Sequence, residues 1–249
     1  MANNRIISLV PSHTELLYAL SSGQEIVGVS DYCNYPEQVA DKPKVGGLQL
    51  NIEKILSLRP TLLLDLNSMN KRYEMIFRQL GLNYVNIEIN KLSDIPAAAE
   101  KIAKILGHPQ RSKSFIENWN KKIVDLTANP SENAPTIYLE IWDQPMQAAG
   151  RASFMGELLN AAGATNAIKQ QTDYPVVNSE HVISANPDII LLAYPLPDLE
   201  SVLNRPGWKN ITAAKNKHIF SLNQDLFVRP GPRNLQALEN LKKIIEKCK

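Results

Sequence analysis

The sequence predicts an α/β chain of two Rossmann-like lobes joined by one long helix, with a ligand cleft between the lobes. Three observations predict it. Short apolar runs alternate with helix-period segments along the whole chain. A ten-residue stretch is written twice: NIEKILSLRP (51–60) and NSEHVISANP (178–187) share Asn51/Asn178, Glu53/Glu180, Ser57/Ser184 and Pro60/Pro187. The offset is 178 − 51 = 127, about half of the 249 residues. Near mid-chain, PQRSKSFIENWNKKIVDLTA (109–128) reads as one helix about 30 Å long, enough to bridge two lobes.

RIISLV (5–10) is an apolar run stopped by Pro11 and reads as a buried strand. SHTE (12–15) has the spacing of a capping box and opens the helix TELLYALSS, which ends near Gly23. EIVGVS is the next strand, so the first thirty residues read strand, helix, strand. NIEKILSL is a short helix with Asn51 as its cap, ended by the restriction that Pro60 places on its predecessor. TLLLDL is a buried strand, KRYEMIFRQLG a helix ending at Gly81, LNYVNIEI a strand, and SDIPAAAEKIAKILG (93–107) a helix capped by Ser93. The first lobe is therefore 1–107 and the interlobe segment 108–130, where Phe115, Trp119, Ile123 and Leu126 form one apolar stripe.

The second lobe, 131–249, starts over. TIYLEIW is a strand, and SFMGELLNAAGATNAI gives a helix whose ELLNAAG echoes ELLYALSSG at 15–23. The repeated segment follows, then the strand DIILLAY, a small helix around RPGWKNITA, the strand HIFSL and a last helix from about Pro232 to Lys247. Two echoes in the same order point to two lobes built on one plan. Open parallel sheets bind ligands at the carboxyl ends of their strands, and domain interfaces favour ligand sites.

Aromatic and amide residues gather where the predicted strands end: DYCNYP (31–36), LNSMN (66–70), WDQPMQ (142–147), AYP (193–195) and NQDLF (223–227). Tyr32, Tyr35, Trp142, Tyr194 and Phe227 are thereby expected to line the cleft. Few ionisable groups accompany them, which suits a large, nearly neutral ligand held by stacking and amide hydrogen bonds.

Other classes find little support. A net charge of +2 is too mild to argue for nucleic acid. No apolar run approaches the roughly 18 residues of a membrane span. Two cysteines, Cys33 and Cys248, make neither a disulfide framework nor a metal site, and His13, His108, His181 and His218 share no ligand spacing. No phosphate-binding glycine loop, nucleophile elbow or nucleophile–base pair stands in the sequence. The N-terminus lacks a signal sequence, so the protein is expected to be cytoplasmic, or extracytoplasmic if an export or lipoprotein segment has been removed.

RIISLVPSHTELLYAL, VGVSDYCNYP, KVGG, NIEKILSLRPTLLLDL, AAGRASFMGELLNAAGATNAI, RPGW and LFVRPGPR together resemble the class III substrate-binding proteins of ABC importers, closest to the cobalamin-binding branch. The resemblance spans nearly the whole chain and implies a binding role without catalysis. It implies a rigid interlobe helix with limited hinge motion. The ligand would be cobalamin or a related corrinoid, with no cofactor, delivered by a monomer to a dimeric permease. Where well-known cobalamin binders flank the corrin with tryptophans and a phenylalanine, this chain offers Leu48 and Gln49 after KVGG, Val176 ahead of NSEHV, and bulk from Trp142, Tyr174 and Phe227.

The expected ligand set is Tyr32, Tyr35, Gln49, Trp142, Met146, Tyr174, Tyr194 and Phe227. Haem and ferric siderophores use the same fold, and a negatively charged siderophore would call on Arg151, Arg229 or Arg233. An enzyme on a two-lobed scaffold and a cytoplasmic corrinoid carrier are the readings of other classes. By the same resemblance Glu53 and Glu180 match two surface glutamates that engage arginines on the two permease subunits. Both stand in the first turn of a helix, where the dipole favours a carboxylate.

Overall fold

The run after Arg5 forms a buried strand, β1 (Ile6–Ser8), in a computed structural model that describes residues 4–127, 130, 132–195 and 197–248. The helix behind it, α1 (Pro11–Ala19), starts one residue before the expected cap. Pro11 occupies the first helical position, where its fixed φ suits the helix and its missing N–H costs nothing. Val10 becomes the cap residue without a side-chain bond, and Ser12 and Glu15 are buried inside the helix, so the predicted capping box is absent. Thr14 instead donates to Ser8 Oγ at 2.8 Å and ties helix to strand.

The first parallel sheet continues with β2 (Ile26–Val29), α2 (Ile52–Ser57), β3 (Leu62–Leu66), α3 (Glu74–Gln79), β4 (Tyr84–Ile87) and α4 (Asp94–Ile105). Its strand order is β2-β1-β3-β4, and every pairing is parallel. A strand inside a parallel sheet is covered on both faces, so β3 is buried at all five residues. Its one charged residue, Asp65, accepts from Asn70 N (2.8 Å), Asn70 Nδ2 (2.9 Å) and the Tyr84 hydroxyl (2.5 Å). The core beneath joins Ile7, Leu9, Val45, Leu50, Ile55, Leu63 and Phe77. Asn51 caps α2 as expected, accepting from Lys54 N at 2.9 Å. Ser93 precedes α4 but makes no side-chain cap bond; Asp94 turns back to the amides of Asn90 and Lys91 instead.

The expected 20-residue helix is shorter. Residues Pro109–Ser112 form a 3₁₀ turn, and α5 runs Lys113–Leu126, about 21 Å of rise. Gly107 at φ +76° and Pro109 separate α4 from this turn, and the Ser112 hydroxyl closes it on the Pro109 carbonyl at 2.9 Å. The chain divides into two compact units, Met1–Lys121 with Pro230–Pro232 and Lys122–Arg229 with Arg233–Lys249.

The second unit carries β5 (Thr136–Asp143), β6 (Met146–Ala148), α6 (Phe154–Ala161), β7 (Thr165–Asn166), α7 (Ser179–Ala185) and β8 (Ile189–Leu192). There follow α8 (Leu199–Leu203), α9 (Thr212–Lys215), β9 (Ile219–Ser221), α10 (Gln224–Phe227) and α11 (Asn234–Lys247). The parallel strands β7, β5, β8 and β9 repeat the order of β2, β1, β3 and β4. The α6–β7 step thus stands where α1–β2 stands, and α7–β8 where α2–β3 stands, as the two sequence echoes require. Asn178 caps α7 on His181 N at 2.9 Å, the distance found at Asn51.

One strand has no counterpart. β6 pairs antiparallel with β5, so the predicted exit loop WDQPMQ is a hairpin with Trp142 inside one strand and Met146 inside the other. Three residues are too few to carry a period-2 signal, and Pro145 reads in sequence as a breaker. No helix among the described residues is long and apolar enough to cross a membrane.

Candidate functional site

In an open α/β sheet the crevice lies at the carboxyl ends of the two strands where the order reverses. Those strands are β1 and β3 in the first unit and β5 and β8 in the second.

In the first unit, the loop after β2 holds Tyr32 and Tyr35, 50% and 42% exposed. The segment 44–50 joins it through the Val29–Lys44 bridge and the bond from Asp31 N to Gly46 O at 2.9 Å. Gly46 has φ +104°, and a Cβ there would stand 2.2 Å from Gln49 O, so only glycine closes this turn. The turn exposes Leu48 and Gln49 and sets Gly47 under the Tyr32 ring, with 3.2 Å between a built Cβ and the ring atoms. Tyr32 thus stands against the turn that carries Gln49. The structure adds Leu48, 75% exposed, and Met69, 68% exposed on the loop after β3.

In the second unit the pairing of β5 slips between Glu140 and Trp142, a bulge at Ile141. Bulges re-aim the side chains that follow them. Here Trp142 pairs with Gln147, and Gln147 pairs with Val176 of a third extended segment. Residues directly opposed across antiparallel strands share a face, so Trp142, Gln147 and Val176 form one row. Tyr174 stands two residues before Val176, in the bend that leads into this segment. Trp142 is 47% exposed, Val176 59% and Tyr174 44%: this is an open aromatic and apolar strip. Gly150 permits it, since a Cβ there would meet Thr172 O at 2.0 Å and push the third segment away.

Beneath the strip lies a buried charged network. Glu140, with no exposed surface, receives both terminal nitrogens of Arg205 at 2.7 and 2.8 Å and the Tyr138 hydroxyl at 2.9 Å. The Tyr194 phenol lies within the field of the same carboxylate. Burial, and then the neighbouring Glu140 charge, push the Tyr138 and Tyr194 phenols well above their ordinary range, so both stay protonated. Burial opposes the Arg205 charge, but Glu140 outweighs it and holds the guanidinium firmly protonated. The plane of Arg205 also covers Trp208 at 4.6 Å, and Met146 Sδ accepts from it at 3.4 Å.

A cavity of about 210 Å³ opens over this network, lined by Trp142, Asp143, Tyr194, Pro195, Asp198, Ser201, Val202 and Arg205. It sits where β5 and β8 end, the crevice position. A wider polar hollow of about 500 Å³ lies by the edge strand β4 and the first turns of α4, with no aromatic lining.

Five expected ligand residues are thus surface groups: Tyr32, Tyr35 and Gln49 in one unit, Trp142 and Tyr174 in the other. Tyr194 is only 7% exposed but lines the cavity. Met146 is half-buried against Arg205. Phe227 does not fit the expectation: it is 1% exposed on α10 and offers no free ring face. The one-turn helix α10 turns it inward, where an exit loop had been expected. Of the candidate arginines, Arg229 is paired with Asp225 at 2.7 Å, Arg151 is exposed and Arg233 half-buried at the start of α11. The Arg205–Glu140 pair had no sequence signal, because 65 residues separate its partners. Glu53 and Glu180 are both exposed, each in the first turn of its helix. Among the described residues no cluster of His, Cys, Asp or Glu is placed to hold a metal.

A family model of periplasmic binding proteins matches residues 6–226. An ABC transporter substrate-binding lipoprotein of Bacillus subtilis, YvrC, is 28% identical over 246 residues, covering 95% of this chain and 78% of its own. The vitamin B12-binding protein of Vibrio cholerae is 28% identical over 245 residues, 95% of this chain and 87% of the relative. Among solved structures, the periplasmic heme-binding protein RhuT from Roseiflexus sp. RS-1 superposes with a TM-score of 0.87 at 27% identity, covering 99% of both chains.

Proposed function

We propose, on the premise that this chain belongs to the periplasmic binding protein family, that it is the substrate-binding component of an ABC importer and that its ligand is a corrinoid. Its role is binding, not catalysis. The observation that carries the ligand is the row of Trp142, Gln147 and Val176, its two ends exposed and Gln147 half-buried, with exposed Tyr174 close by in sequence. A broad, flat, mostly uncharged macrocycle suits a surface that offers ring faces and amides. In the first unit Tyr32, Tyr35, Leu48, Gln49 and Met69 supply the same chemistry. Glu53 and Glu180 dock a dimeric permease, one on each helix of the repeated segment. The protein acts as an extracytoplasmic monomer, in keeping with the periplasmic and lipoprotein relatives.

Haem is the second reading, favoured by the likeness to a heme-binding protein over the full chain. A thermal-shift screen against cyanocobalamin, cobinamide, haem and several ferric siderophores tests both. A ligand at 100 times its Kd raises stability by ~2.7 kcal/mol. A shift with the corrinoids supports the proposal, a shift with haem alone transfers it to the second reading, and a shift with siderophores alone defeats both.

A further inference from the structure

We infer that the cavity at the ends of β5 and β8 is a specificity pocket for an uncharged hydrogen-bond donor on the ligand, a primary amide, and that it turns carboxylates away. The inference deepens the proposed function and rests on it for the identity of the ligand. The cavity itself supplies the argument. Among its described lining residues the only cation is Arg205, and that guanidinium spends two nitrogens on Glu140 and lies over Trp208. With Glu140 fully buried behind it, the pair is neutral overall. The short helix α8 begins at the rim, but Asp198 already caps it, accepting from Glu200 N at 3.1 Å. The other polar lining residues are Asp143, Asp198 and Ser201, beside Trp142 and Tyr194, and the Asp143 charge is near enough to act on the Tyr194 phenol. Two carboxylates without a free cation repel an anion and accept from an N–H. A carboxylate entering there would bring like charges into a partly desolvated space and find only Arg205, already engaged. An amide would meet acceptors on one side and an aromatic wall on the other.

This reading separates the candidate ligands by their edges. Corrinoids carry primary amides around the macrocycle, haem carries two carboxylates, and most ferric siderophore complexes are neutral or anionic. Asp143 and Asp198 are the residues that would set the preference, and neither is needed to hold the ligand's flat face.

The first test needs no ligand. Of the three tryptophans, Trp119 and Trp208 are 2% and 0% exposed, so collisional quenching reports Trp142. Iodide, an anion, should quench it poorly beside acrylamide, a neutral amide. The Asp143→Asn/Asp198→Asn protein should show iodide quenching raised at least twofold at low salt, with acrylamide quenching unchanged. Both changes are isosteric, and asparagine caps a helix as well as aspartate does. Iodide quenching that is equal in the two proteins overturns the inference.

The second test compares cyanocobalamin with its separate monocarboxylic acid isomers, each with one amide hydrolysed. At least one isomer should bind the parent five- to tenfold more weakly, and the double variant should narrow that gap. Equal binding of every isomer to the parent also overturns the inference. Iodide exclusion without any corrinoid binding leaves the pocket's preference standing and sinks the corrinoid reading instead.

Discussion

Removing one ring tests the candidate site most directly. Trp142→Ala deletes a side chain that holds no core together: it is 47% exposed, and its indole N–H bonds only the Gln144 carbonyl of its own hairpin, at 3.0 Å. A tryptophan presents roughly 250 Å² of surface, so about 120 Å² is free to be covered by a ligand. At about 25 cal/mol per Å² the ceiling is ~3 kcal/mol. Ordering the ring and incomplete coverage reduce this, and the expected loss is ~1–2 kcal/mol, a 5- to 30-fold weaker Kd. Isothermal titration of parent and variant with the ligand identified by thermal shift gives the number. The parent should also lose tryptophan fluorescence on saturation, because the two other indoles are buried. An alanine variant that binds within twofold of the parent would mean that the exposed row is not the ligand surface.

Three further outcomes follow from the geometry. His13 is completely buried, near the backbones of Asp65 and Ile87 but without a hydrogen bond of ordinary geometry, and burial lowers its pKa from 6.5 to about 4. Between those values the unfolded chain binds the extra proton, so stability should fall as pH drops from 6.5 towards 4, by up to ~3 kcal/mol; urea midpoints across that range should flatten in His13→Phe. Arg205→Met should cost ~3–5 kcal/mol in urea unfolding by leaving Glu140 buried and unpaired, and adding Glu140→Gln should recover much of it. Charge reversal at both Glu53 and Glu180 should leave ligand affinity intact and abolish complex formation with the cognate permease, read by co-purification; lost ligand binding would assign these glutamates elsewhere.

Local chemistry was legible where one short segment decides the outcome. The two N-caps form as written, because an asparagine three residues before a free amide needs no distant partner. The repeat was legible because both copies must satisfy the same helix-to-strand step. The capping box at Ser12 failed because Pro11, immediately before it, is the better helix start. What escaped the sequence depends on partners far along the chain. The hairpin that holds Trp142 becomes visible only through its bulged register and the third segment beside it. The inward turn of Phe227 and the neutralised Arg205 are likewise tertiary facts. Leu48, Met69 and Val176 were not chosen as ligand groups because an exposed aliphatic is unremarkable one residue at a time; the neighbours the fold gives them supply the meaning.

Comparing the units separates framework from recognition. Four parallel strands in the same order, two equivalent crossovers and two capped helices with an exposed glutamate are common to both. A partner with two like subunits can use features that occur twice, and Glu53 and Glu180 are such features. An asymmetric ligand needs features that occur once. The second unit alone inserts the β5–β6 hairpin, on the same edge of β5 that β7 pairs but towards the carboxyl end. That insertion carries Trp142 and Asp143 and positions Met146 against Arg205. The duplicated sheet therefore explains how the chain folds and presents itself, while the unduplicated hairpin is where ligand choice should be encoded. Exchanging the side chains of 142–147 should accordingly change what the protein binds and leave Glu53 and Glu180, the proposed docking residues, untouched.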